Sequence, residues 1–147
     1  MNKIEDQIQY NFIKAFKHSI DENIVSNTPD FDWIMSLLIE IKERLKALLI
    51  NEQKRMEIDK EYDVEFIHQL IVNKVFDKVS MDSLIEITFM WLFRLQAPYR
   101  DKMVNAEKLR LLQIEDHTIV SEFCLTVNKI IDDIIEDIQN FQNVVNR

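Results

Sequence analysis

The hydrophobic positions of this chain fall at helical spacing almost from end to end. Between Asn2 and Asn23, Ile4, Ile8, Phe12, Phe16 and Ile20 recur every fourth position, with Ile13 beside them. That spacing predicts an amphipathic helix with one apolar face. The stretch NIVSNTPD, residues 23–30, interrupts it. Pro29 turns Thr28 away from helical backbone, and Asp30 stands where a helix N-cap is wanted. A second helix is predicted from Phe31 to about Ile50, with Trp33, Ile34, Leu37, Leu38, Ile41, Leu45, Leu48 and Leu49 in a broad apolar stripe. Its charged side places Glu40 and Arg44 at the spacing of an i,i+4 ion pair.

Residues 51–62, NEQKRMEIDKEY, are mostly charged. They read either as a short helix anchored by Met56 and Ile58 or as a mobile connection. Asp63 is placed to cap a further helix, Val64 to about Phe76, with Phe66, Ile67, Leu70, Ile71 and Val75 apolar. Ser80 to Arg100, SMDSLIEITFMWLFRLQAPYR, is different in kind. Leu84, Ile85, Ile87, Phe89, Met90, Trp91, Leu92, Phe93 and Leu95 leave almost no polar side. A helix that is apolar all round belongs in the interior. Glu86 and Arg94 interrupt it and it is short for a bilayer, so it is predicted as the central helix of a core, not a membrane span.

The central helix ends at Ala97-Pro98, where a tight corner is expected at Tyr99-Arg100-Asp101. Lys102 to Gln113 reads as a short helix with Met103, Leu109, Leu111 and Leu112 apolar. Asp116 is a candidate cap for the last and longest helix. There Val120, Phe123, Val127, Ile130, Ile134, Ile138, Phe141 and Val145 step by three or four, a near-heptad seam suited to a helix packed lengthwise. Asp132, Asp133, Glu136 and Asp137 lie off that seam.

Composition narrows the fold and the partners. The 147 residues include no Gly and only two Pro, which argues against a turn-rich strand fold. The expectation is all-α: one domain over residues 1–147, a single bundle of six or seven helices around the central helix at about 80–97, with a long C-terminal helix. The formal charge of −8 disfavours nucleic acid and anionic membrane surfaces as partners. A single Cys suits a reducing compartment, and the N-terminus MNKIEDQIQ is not patterned as a secretory signal. The richness in Ile, Asn, Asp and Lys suggests an AT-rich source genome.

Several residues could carry chemistry. Glu65-x-x-His68 has the spacing used by carboxylate di-iron helices, but such sites need two of these pairs, and neither His18 nor His117 has a Glu three positions before it. Cys124 and His117 are seven residues apart, about 10 Å along a helix, too far for a nucleophile and its base. Packing is the simpler reading of Cys124. The acids Asp132, Asp133, Glu136 and Asp137 read as a solvated face, with a cation or a basic partner as the alternative. Without Gly there is no phosphate-cradling loop, and no Ser has a nucleophile-elbow context. The expectation is therefore no catalytic residue, no metal, no cofactor and no enzyme. Arg100 and Asp101 follow the corner, where the guanidinium fork can lock the turn by a salt bridge or grip a ligand carboxylate; the lock is the simpler reading.

Taken together, several segments resemble the T-complex protein 11 family. Asn11 to Leu49 is similar to the opening of that domain: an aromatic-rich helix (Phe12, Phe16), a Pro-Asp-aromatic break (Pro29-Asp30-Phe31) and a leucine-rich helix around Glu40-Ile41-Lys42-Glu43. Asp63-Val64-Glu65-Phe66-Ile67 resembles a helix start of the family. Ala97-Pro98-Tyr99-Arg100-Asp101 resembles its Cys-Ala-Pro-x-Arg-Asp-Glu-Glu-Val hallmark, with Gln96 in place of the Cys, Lys102-Met103 in place of the acidic pair, and Val104 kept. The family domain is longer, so the likeness is to its N-terminal part.

The resemblance implies a helical protein linked to cyclic-AMP and protein-kinase-A signalling, with no established catalytic residues. The function expected from it is a non-catalytic interaction or regulatory module in the cytoplasm, with a protein partner. Ala97, Pro98, Tyr99, Arg100 and Asp101 would form the contact surface. One alternative is a structural component of a viral particle or assembly, virus-encoded and virion-associated, that forms homo-oligomers through the C-terminal helix. The other is a small viral death regulator with a peptide-accepting groove.

Overall fold

A computed structural model describes residues 3–63, 65, 67–69 and 78–145. Among the described residues there are six α-helices, one 3-10 turn and no strand. The helices are α1 (Lys3–Val25), α2 (Phe31–Ala47), α3 (Glu52–Glu61), α4 (Lys78–Leu95), α5 (Asp101–Leu112) and α6 (Ile119–Val145), with the 3-10 turn at Pro98–Arg100. The all-α bundle expected from the spacing is present, with a buried central helix and a long last helix. Among the described residues, no helix is long and apolar enough to cross a membrane.

The core gathers where apolar stripes converge. α4 contributes Met81, Leu84, Ile85, Phe89, Trp91 and Leu92, all buried, and Ile87, Met90, Phe93 and Leu95 pack against them. α2 adds Ile34, Met35, Leu38, Ile41 and Leu45, and α6 adds Phe123, Val127, Ile130, Ile131 and Ile134. α6 touches α1, α2, α4 and α5 along its length, so it is the element the others share. Trp91, buried in α4, donates its indole N–H to Glu61 at 3.0 Å, which ties the end of α3 to the core. Arg94 lies over the same indole ring, 4.9 Å from its centroid.

Local chemistry sets the ends. The Asp30 carboxylate accepts from the Trp33 N–H at 3.0 Å, as a cap does, and Asn23 clamps the Asp30 backbone N–H at 2.7 Å. Asn51 caps α3 through the Lys54 N–H. The charged stretch before Asp63 is thus a helix, held by Ile58 and the adjoining Tyr62; Met56 is exposed instead. Asp116 bonds the backbone and side chain of Thr118 in the turn that precedes α6.

Some expectations are displaced. Arg44 ignores Glu40 on its own helix and crosses to Asn128 at 2.6 Å and Asp132 on α6. Met103 and Leu109 of α5 are exposed, while Val104 and Leu111 are buried. The helix predicted from Val64 to Phe76 lies mostly outside the described residues, as do Phe66, Leu70, Ile71 and Val75. Of that stretch, Glu65, Ile67, His68 and Gln69 are described and helical.

Candidate functional site

The corner after α4 is built by Pro98. Its ring cannot continue a helix, and it takes the first position of the 3-10 turn, where no N–H is needed. The Arg100 N–H donates to the Ala97 carbonyl at 3.0 Å to close the turn, and α5 begins at Asp101. Gln96 is buried just before it and donates from Nε2 to Asp101 Oδ1 at 2.7 Å, so the two sides of the corner are braced to each other.

Arg100 then fastens the corner to α6. Its Nε donates to Asp137 Oδ2 at 2.6 Å and its Nη2 to Asp137 Oδ1 at 2.9 Å, a two-point fork on one carboxylate. Asp133, one turn earlier, lies 3.6 Å from Nη1 and also accepts from Lys129 at 2.7 Å. The Tyr99 hydroxyl donates to Asp137 Oδ1 at 2.7 Å, and the Arg100 guanidinium sits 5.0 Å from the Tyr99 ring centroid. The Arg100, Asp133 and Asp137 side chains are largely covered, whereas Tyr99 is 70% exposed.

These contacts settle the ionisation. The Arg100 hydrogen bonds, with help from Tyr99, hold the Asp137 carboxyl down to about 2. Asp137 in turn raises Arg100 above its ordinary range and raises the Tyr99 hydroxyl. At neutral pH the cluster is a closed ion pair with nothing poised to move a proton. Its effect is mechanical: it latches α4, α5 and α6 together and presents the Tyr99 ring outward.

The other sequence candidates fall elsewhere. Cys124 is buried, and burial, followed by the negative charge of Glu40, pushes its thiol up to about 12. Such a thiol keeps its proton at neutral pH, so it packs and does not attack. His117 is exposed on the turn before α6. His68 stands 4.0 Å from Asp32, and among the described residues no group of three His, Cys, Asp or Glu is arranged to hold a metal. The acids of α6 are not one solvated face. Asp132 holds Arg44 and Asp133 and Asp137 hold Arg100, while Glu136 has no such cross-helix tie among the described residues.

The family model described as T-complex protein 11 matches residues 1–143. The chain belongs to the T-complex protein 11 family. It is 30% identical over 106 residues to human T-complex protein 11-like X-linked protein 1, covering 71% of this chain and 20% of that protein. The human T-complex protein 11-like X-linked protein 2 matches to the same extent. The rat T-complex protein 11 homolog is 33% identical over 103 residues, which covers 69% of this chain and 17% of the relative. The chain therefore spans about a fifth of the length of the curated relatives it matches. No solved structure matches it.

The T-complex protein 11-like motif Ala97-Pro98-Tyr99-Arg100-Asp101 is thus the latched corner. Gln96, just before the motif, supplies its brace to Asp101. Sequence reasoning left out the other half of the latch, which is Asp133 and Asp137. The signal was present: two acids at i,i+4 share one helix face, and an Arg needing a carboxylate follows the corner.

Sequence reasoning also missed a second feature. The apolar stripe of α1 is buried at Ile20 and half-buried at Phe16, whose ring meets Trp33 edge-on at 6.2 Å, but Ile4, Ile8 and Phe12 are exposed. The seam of α6 is buried through Ile134 and exposed at Ile138, Phe141 and Val145.

Proposed function

We propose that this chain is a non-catalytic interaction and regulatory module of the T-complex protein 11 type, one domain over residues 1–147 corresponding to the N-terminal part of the family domain. Its partner is a protein that reads the corner Ala97, Pro98, Tyr99, Arg100 and Asp101. The observation that carries this reading is the exposed Tyr99 ring, held out by a latch in which Tyr99, Arg100 and Asp137 are already paired with one another. An aromatic on a rigid, pre-ordered turn loses little entropy when it is covered, which is what a contact hot spot needs. Arg100 works from behind as a positioning residue. The charge of −8 favours a protein over nucleic acid as the partner.

The pathway the resemblance implies is cyclic-AMP and protein-kinase-A signalling in the cytoplasm. The test is a calorimetric titration of the purified chain with the regulatory and the catalytic subunit of that kinase. Binding to one of them, weakened roughly tenfold or more by Tyr99→Ala, supports the reading. No binding to either removes the kinase link. Binding untouched by Tyr99→Ala removes the corner.

A second reading is favoured by a separate observation. Ile138, Phe141 and Val145 continue a helix-packing seam into solvent, which supports a component that self-associates through its last helix.

A further inference from the structure

α1 and α6 each carry an apolar stripe that is buried over one part and exposed over the other. Phe12 is 72% exposed on α1 and Phe141 is 69% exposed on α6, with Ile8 and Val145 exposed beside them. Asp21 meets Ser121, Lys17 meets Glu122, and Ile24 shares a pocket wall with Ile119 and Val120. The α1 numbers fall as the α6 numbers rise, so the two helices run antiparallel. The exposed first half of α1 and the exposed last two turns of α6 therefore both lie toward the end where α6 finishes. Single exposed hydrophobics are ordinary, but two periodic stripes at one end are the kind of surface that marks an interface.

Spacing and charge say what fits there. Ile134, Ile138, Phe141 and Val145 are separated by four, three and four residues, which suits a helix lying lengthwise. From Ile138 to Val145 there is no charged residue at all. From Lys3 to Lys14, Lys3 and Lys14 balance Glu5 and Asp6. In a chain of net charge −8, these two segments are where another copy approaches without like-charge opposition. A strongly basic or acidic partner finds no complement in either. Each segment is itself an apolar-striped helix, so each copy holds what the other lacks.

We propose that these two exposed segments form one self-complementary surface that binds a second copy of this chain. The outer part of α6 in one copy lies against the outer part of α1 in its partner, and the reverse holds across a twofold axis. Three large side chains on each segment, at on the order of 100 Å² apiece, approach the roughly 800 Å² that each partner gives up in a standard interface. The proposal rests on the self-association reading and adds α1 to it.

Sedimentation velocity from micromolar to hundred-micromolar concentration tests it, on the wild type, Phe12→Glu and Phe141→Glu, with circular dichroism to check the fold and Ile8→Glu as a second α1 variant. The wild type should be a dimer, and each substitution alone should weaken it at least tenfold. Phe12→Lys mixed with Phe141→Glu should recover a heterodimer that neither forms with itself, because one junction becomes an ion pair and the other stays native. A wild-type dimer indifferent to Phe12→Glu and Ile8→Glu overturns the proposal but leaves self-association through α6 standing. A wild type that stays monomeric throughout overturns both.

Discussion

Phe89 in α4 and Phe141 in α6 are the same residue on the same kind of apolar helix face, yet one is fully buried and the other stands in solvent. Phe89 lies in the core that α4 shares with α5 and α6, while Val79, Ser83, Glu86 and Arg94 on another side of the same helix are exposed. Around Phe141 the ring is uncovered: α6 is 27 residues long, and its last buried residue is Ile134. Periodicity therefore decides which residues share a face, and the reach of the neighbours decides whether that face is covered. The border between the two regions is sharp. Asp137, gripped by Arg100, is the last residue of α6 with a side-chain tie among the described residues, and Ile138 begins the exposed seam.

The comparison can be broken first in the core. Leu92→Ala should cost about 2–5 kcal/mol in urea unfolding, because the site is fully buried and a cavity would remain. A cost below about 1 kcal/mol would mean that α4 is not the packed rod described. Next comes the border. Arg100→Ala leaves Asp133 with Lys129 and Asp137 with Tyr99 in place of the guanidinium, and should lower the melting temperature by roughly 2–6 °C. It should also let the end of α6 fray back toward Ile134, visible as faster amide exchange there. An unchanged melting temperature would show the latch to be ornamental.

Acid sharpens the same border. Asp137 sits at about 2 in the folded chain against an ordinary 3.8, so it stabilises the fold fully above about pH 4. As the pH falls from about 4 toward 2, the unfolded chain takes up the proton first and that stabilisation is lost. Asp137→Asn should therefore be less stable than wild type at neutral pH and equal to it near pH 2, with the two curves converging across that window. Curves that stay parallel would deny Asp137 this role. Smallest of all, Phe141→Ala in dilute, monomeric protein should change stability by less than about 0.5 kcal/mol, as an exposed position does. A core-sized loss there would erase the distinction between the two regions.

Much of the fold was legible because helical spacing is a local signal. The central helix with its buried Leu84, Ile85, Phe89, Trp91 and Leu92, the Asp30 cap and the Pro98 corner each follow from a few adjacent residues. What stayed hidden depended on residues far apart in the chain. Arg44 looked paired with Glu40 by spacing, but α6 brings it Asn128 and Asp132. The acids of α6 looked solvated because their partner Arg100 belongs to a corner more than thirty positions away. The exposure of Phe12 and Phe141 was invisible for the same reason: no local pattern records where a neighbour stops.

Amide hydrogen exchange at two protein concentrations tests the two-region account most directly. In dilute protein, Lys3 to Ala15 and Ile138 to Val145 should exchange fast while Met81 to Leu92 stays protected. At high concentration, protection should rise in those two outer segments together and stay unchanged in α4. Outer segments as protected as α4 when dilute, or unmoved by concentration, would contradict it.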